Sequence, residues 1–104
     1  MKTYYKNNFI YAELSEAQIN DLMAVETNPV FVSKKAMKQI EGILNLRNLN
    51  TEEDLRAVRN TIVKELSKKE KEETNVEEQE NIWNKMSMVT AVIDNVKWEK
   101  GFAV

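Results

Sequence analysis

Carboxylates are the commonest reactive groups in this chain. Eight of the 17 fall in two runs, Glu52-Glu53-Asp54 and the set Glu72, Glu73, Glu77, Glu78 and Glu80. Carboxylates that converge on one point bind hard cations, and a pair in a pocket can act as general acid and base. Neighbouring residues on a helix diverge, and no Asp-rich loop with a turn glycine accompanies either run. Both therefore read as solvated helix faces, and no metal ligand is assigned. The chain has no His and no Cys. That excludes Cys nucleophiles, imidazole or thiolate zinc sites, Fe–S clusters, Ser-His-Asp catalysis and disulfides. There is no Gly-rich phosphate loop and no Gly-x-Ser-x-Gly, and Ser67 precedes Lys68 and Lys69 only within a charge run. The expectation is a protein with no catalytic residue and no cofactor.

A second set is basic. Lys34, Lys35 and Lys38, with Arg47 nearby, give residues 31–50 four basic and one acidic side chain. If the N-terminal segment shares a face with them, Lys2 and Lys6 with Tyr4, Tyr5 and Tyr11 would complete a patch for single-stranded nucleic acid, where lysines and stacked aromatics cooperate. The simpler reading is an exposed helix face. Its three lysines sit at the end of the helix where the dipole disfavours them, and phosphate binding needs a larger basic footprint.

A third set lies near the C-terminus. Ile82, Met86, Val89, Ile93 and Val96 are spaced 4, 3, 4 and 3, a heptad seam. Trp83 and Val92 widen it, and Trp98 follows. Trp and Met are enriched at interfaces, so Trp83, Met86, Val89, Ile93 and Trp98 are the candidate partner-binding residues. The competing reading is an ordinary core helix. The partner expected for this seam within the chain is the helix carrying Leu55, Val58, Ile62 and Leu66. Such a pairing leaves the Trp83 flank under-covered and open to a second copy or another protein.

The elements that must position these residues follow from local signals. Residues 3–13 are rich in aromatic and β-branched types, with Asn7-Asn8 suited to a two-residue hairpin turn. Ser15 and Gln18 form a capping box ahead of Ile19, Leu22 and Met23, and Thr27-Asn28-Pro29 ends that helix. Val30-Phe31-Val32 reads as a third strand beside the hairpin, making residues 3–33 a β-β-α-β unit. Ser33 caps a helix to about Asn45, and Thr51 caps another that runs to about Lys71. The charge-dense segment 67–80 reads as a solvated helix end and loop or a mobile connector. The last helix runs from near Val76 to about Trp98, with Gly101 as its stop. The expected fold is α+β: a small N-terminal hairpin with three to four helices, the C-terminal half an antiparallel helical pair.

At 104 residues the chain forms one domain at most, residues 1–104, with a thin core. Its net charge of −2 creates no field that attracts nucleic acid, so nucleic acid is not the expected partner. The first residues lack an apolar stretch and no run is long enough to span a membrane, so a cytoplasmic protein without a membrane partner is expected. Lys and Asn, 12 of each, share AT-rich codons and suggest a low-GC bacterium or its phage. The stretch Met86–Asp94 with Gly101-Phe102 resembles small prophage-type open reading frames and brings no functional residue with it. The function expected is a non-catalytic interaction protein that inhibits or redirects a host or defence protein. The alternatives are a nucleic-acid accessory protein using Lys34, Lys35, Lys38 and Arg47, and a virion assembly factor.

Overall fold

Asn7 and Asn8 both adopt positive φ, 52° and 69°, as a two-residue hairpin turn matched to the strand twist requires. They join β1 (Thr3–Lys6) to β2 (Phe9–Ala12) in antiparallel register, with Tyr4 opposite Tyr11 and Lys6 opposite Phe9. The computed structural model describes residues 1–28 and 30–102. Four α-helices follow the hairpin among them: α1 (Glu16–Ala24), α2 (Lys34–Leu44), α3 (Glu52–Glu72) and α4 (Val76–Glu99). A single 3₁₀ turn, Leu46–Asn48, separates α2 from α3. The fold is α+β.

The helix starts follow their capping signals. Ser15 Oγ accepts from the Gln18 amide while Gln18 Oε1 accepts from the Ser15 amide. Ser33 and Thr51 accept from the amides of Ala36 and Asp54, each at 3.1 Å. Each cap satisfies an amide that the helix itself leaves free. At the far end, Gly101 takes φ 77°. The Gly101 amide donates to the Trp98 carbonyl and the Phe102 amide to that of Lys97, both at 3.0 Å, which is a Schellman stop. Phe102 packs back against the core.

Helices α3 and α4 form the main body. Glu52 meets Lys97, Arg59 meets Asp94 and Ser67 meets Met86. Partner numbers fall on α4 as they rise on α3, so the two helices are antiparallel. Leu55, Val58, Ile62 and Leu66 face Ile82, Val89, Val92, Ile93 and Val96 in one apolar cluster. The link between them is only residues 73–75. Segment 67–80 is thus mostly helix rather than a connector, because Lys and Glu are good helix formers even where nothing buries them. Glu73 also fastens the link: its side chain accepts from the amides of Thr74 and Asn75, and its carbonyl from Gln79 Nε2.

The hairpin lies on α3. Ile10 and Ala12 are buried against it. Thr61 Oγ1 accepts from the Ala12 amide at 2.8 Å and lies 2.9 Å from the Ala12 carbonyl and 3.0 Å from that of Ala57, which share its one proton. Asn60 Nδ2 donates to the Ile10 carbonyl at 2.9 Å. Two helix side chains thus take the place a neighbouring strand would fill along β2.

Two expectations fail here. Val30-Phe31-Val32 is not a strand. The segment lies beside Ser87, Met88 and Ala91 of α4 instead of along either hairpin edge, and β-rich composition makes no strand without a ladder partner. Helix α1 ends at Ala24, earlier than Thr27-Asn28-Pro29 suggested; Pro29 lies outside the described residues.

Candidate functional site

Helix α4 has two faces of opposite character. At 3.6 residues per turn, Trp83, Ser87, Ala91, Asp94 and Trp98 fall within a sector of about 80°. Trp83 is 55% exposed and Trp98 74%, and Ser87 and Ala91 between them are exposed too. The two indoles stand about 22 Å apart along the axis, at ~1.5 Å per residue. Beside this sector runs the segment after α1. Asn28 Oδ1 accepts from the Val30 amide at 2.9 Å. Val30 and Phe31 are themselves largely exposed. Phe31, Val32, Ser87, Met88 and Ala91 line a cleft of ≈ 160 Å³. Pockets for drug-sized ligands run to about 300–1,000 Å³, so this cleft is of a size for one side chain.

The opposite face is core. Val89 and Ile93, expected on the partner surface, are fully buried within the chain. They are removed from the candidate site because α3 already covers them. Met86 is half-buried and its sulfur lies 3.6 Å from Ser67 Oγ. Of the five seam candidates, Trp83 and Trp98 are the ones that face solvent.

The same buried face holds a residue that the periodicity did not flag. Lys85 is 1% exposed. Its Nζ donates to the carbonyls of Leu22 (3.0 Å), Met23 (3.2 Å) and Val25. These carbonyls end α1, whose own last turn carries no basic residue. An ammonium has three protons, and three carbonyls take them. It also stands at the negative end of the helix dipole. Burial pushes its pKa below the ordinary 10.5. Lys85 is a fastening between α4 and α1, a role that leaves no lone pair for nucleophilic chemistry. The signal for it is the row Ile82, Lys85, Val89, Val92, Val96, in which a lysine fills one position of an otherwise apolar stripe.

The basic set comes apart. Lys34, Lys35 and Lys38 are exposed. Arg47 is committed elsewhere: it bonds Glu41 at 2.7 Å and Glu99 at 2.5 Å, and Lys100 donates to its carbonyl at 2.9 Å. Its hydrogen bonds to Glu41 and Glu99 raise the guanidinium's pKa, and the bond from Arg47 lowers that of Glu99. Arg47 therefore ties α2 and the 3₁₀ turn to the end of α4, and its charge is already neutralised. The hairpin does not join these lysines, since it packs on α3 while α2 packs on α1 and α4. Two of its three tyrosines pair with each other: Tyr4 and Tyr11 stack at 5.7 Å and Lys64 lies 5.1 Å over the Tyr11 ring.

No group of three or more potential metal-ligating side chains converges among the described residues, and no described helix is long and apolar enough to cross a membrane. Comparison with protein-family models, curated proteins and solved structures returns no match.

Proposed function

We propose that this chain is a non-catalytic protein-interaction module that seats a partner protein on the Trp83–Trp98 face of α4. The carrying observation is the pair of exposed indoles on one helix face, with Phe31 and Val30 alongside. Exposed tryptophans are the residue type most enriched in binding hot spots, and the cleft lined by Val30 and Phe31 opens on Ser87 and Ala91 between them. The lysine and asparagine content supports an origin in a phage or mobile element of a low-GC bacterium, and the partner in that setting is a host or defence protein that the module inhibits or redirects. A second copy of the chain is a competing occupant of the same face.

The test is capture from a low-GC bacterial lysate, with and without nuclease, using the wild type and a Trp83→Ala, Trp98→Ala double variant. A protein held by the wild type after nuclease treatment and lost by the variant supports the reading. Equal capture by both sinks it. Sedimentation at several concentrations, wild type against variant, separates the homodimer from a hetero-complex.

One observation favours a second reading. Lys34, Lys35 and Lys38 make no ion pair among the described residues, at a helix end that disfavours them. Nucleic-acid binding lost on Lys34→Glu plus Lys38→Glu, at an ionic strength of ~0.15 M where exposed charges are screened, would promote it.

A further inference from the structure

The hairpin has two outer edges, and only one is covered. With a two-residue turn, Lys6–Phe9 and Tyr4–Tyr11 are the hydrogen-bonded pairs, and the Glu13 amide donating to the Lys2 carbonyl at 2.9 Å continues the alternation. The intervening residues direct their amides and carbonyls outward. On β2 these are Ile10 and Ala12, and Asn60 and Thr61 of α3 bond them. On β1 they are Thr3 and Tyr5, which make no hydrogen bond outside the ladder among the described residues. Thr3 is half-buried, and Tyr4, Tyr5 and Lys6 are exposed.

We infer that the outer edge of β1 is a strand-addition site for an extended segment of another protein that alternates acidic and apolar residues. An added strand would pair with the outward groups of Thr3 and Tyr5. Side chains alternate across it. One face of β1 carries Lys2, Tyr4 and Lys6. Among the described residues Lys2 and Lys6 form no ion pair, Glu13 opposite Lys2 included, and Lys64 of α3 adds a third positive charge over Tyr11 on that face. The other face carries Thr3 and Tyr5, and Tyr5 is 66% exposed although it sits on the side where Ile10 is buried. Acidic side chains of the guest meet the lysines, and its apolar side chains lie beside Tyr5.

The charge also decides against two other occupants. A second copy adding antiparallel about Tyr4 would set Lys2 against Lys6 of its twin, twice, and like charges directly opposite destabilise a ladder; lysines on an edge are a known guard against self-pairing. Nucleic acid would leave the outward amides and carbonyls of Thr3 and Tyr5 without a strand partner, and it needs a wider basic footprint.

The probe is the peptide acetyl-Thr-Glu-Val-Glu-Val-Glu-Thr-amide, titrated into the full chain, with amide hydrogen exchange followed at Thr3 and Tyr5. The expected result is saturable binding that slows exchange at both amides. Lys2→Glu plus Lys6→Glu weakens binding about tenfold, the scale of two lost cross-strand charge pairs. A counterpart peptide with Lys in place of Glu restores it. Thr3→Pro removes one outward donor and weakens binding; where that variant loses its hairpin, the charge-reversal pair alone decides. The inference is overturned by any of four results: no binding, binding without slowed exchange at Thr3 and Tyr5, binding insensitive to charge reversal, or the same protection produced by an oligo-dT strand or by raising protein concentration alone. The readout sits on the hairpin amides, so its outcome is separate from that of the tryptophan variants.

Discussion

The two faces of α4 spend the same kinds of residue differently. One face buries Ile82, Val89, Val92, Ile93 and Val96 together with a lysine; the other holds two tryptophans in solvent. Hydrophobicity by itself would have assigned the tryptophans to the interior. The lesson is that the position a neighbouring element covers, rather than the residue type, decides which side chains hold the fold and which are free to bind. Stability and partner binding should therefore separate cleanly along this one helix.

Ile93→Ala should have the largest effect on stability. The residue is fully buried, and truncating such a side chain costs about 2–5 kcal/mol. Urea unfolding followed by circular dichroism measures it, and a loss under about 1 kcal/mol would mean that α3 does not cover this face as described.

Lys85→Met comes next. It keeps the stem but strands the Met23 and Val25 carbonyls, while that of Leu22 keeps the Val25 amide, at about 1–3 kcal/mol for a buried polar group left unpaired. This variant also carries a pH signature. The pKa of Lys85 is lowered in the fold, so the unfolded chain binds more protons in the interval below 10.5. Stability linked to this group is complete above 10.5 and falls as pH drops through the lowered value. Wild-type stability should rise relative to Lys85→Met as pH climbs toward 10.5. A constant difference between the two proteins would show that the ammonium is not desolvated.

Arg47→Ala should destabilise less than Lys85→Met, since Arg47 and Glu99 are half exposed and their ion pair is screened. The difference from wild type should shrink as salt is added. It should shrink again as pH falls from 4.5 through the lower value at which Glu99, held down by Arg47, takes up its proton.

The smallest stability effect belongs to Trp98→Ala, within about 0.5 kcal/mol as for ordinary surface positions. If it destabilises as much as Ile93→Ala, the distinction between the faces collapses.

Much of the fold was legible from local signals. Asn7-Asn8, the Ser15–Gln18 box, Ser33, Thr51 and Gly101 act within a few residues of themselves, and each element starts or stops where its signal stands. The antiparallel helix pair was legible because both stripes are regular. What escaped depends on contacts distant in sequence. Val30-Phe31-Val32 has strand-like residues, but it lies beside Ser87, Met88 and Ala91 of α4, far along the chain, rather than along the hairpin. Lys85 resembles a solvent lysine until the end of α1 is placed over it. Arg47 looked like part of a basic patch because Glu99, 52 residues away, is invisible to a local charge count. The candidate site divides the same way: exposure of the Trp83 flank followed from counting the helices able to cover it, whereas the burial of Val89 and Ile93 follows from which side α3 takes.

The reach of Lys85 has a consequence for the chain as it is made. The ribosome delivers the end of α1 first and the ammonium that caps it 60 residues later than Val25. At about 5–20 residues per second, that is a wait of about 3–12 s. Until Asn60 and Thr61 follow, β2 lacks the α3 cover for its edge, and until Lys85 follows, the end of α1 lacks its ammonium. The N-terminal quarter is thus born early and completed only after most of the chain has been made, and it depends on shielding in the interval.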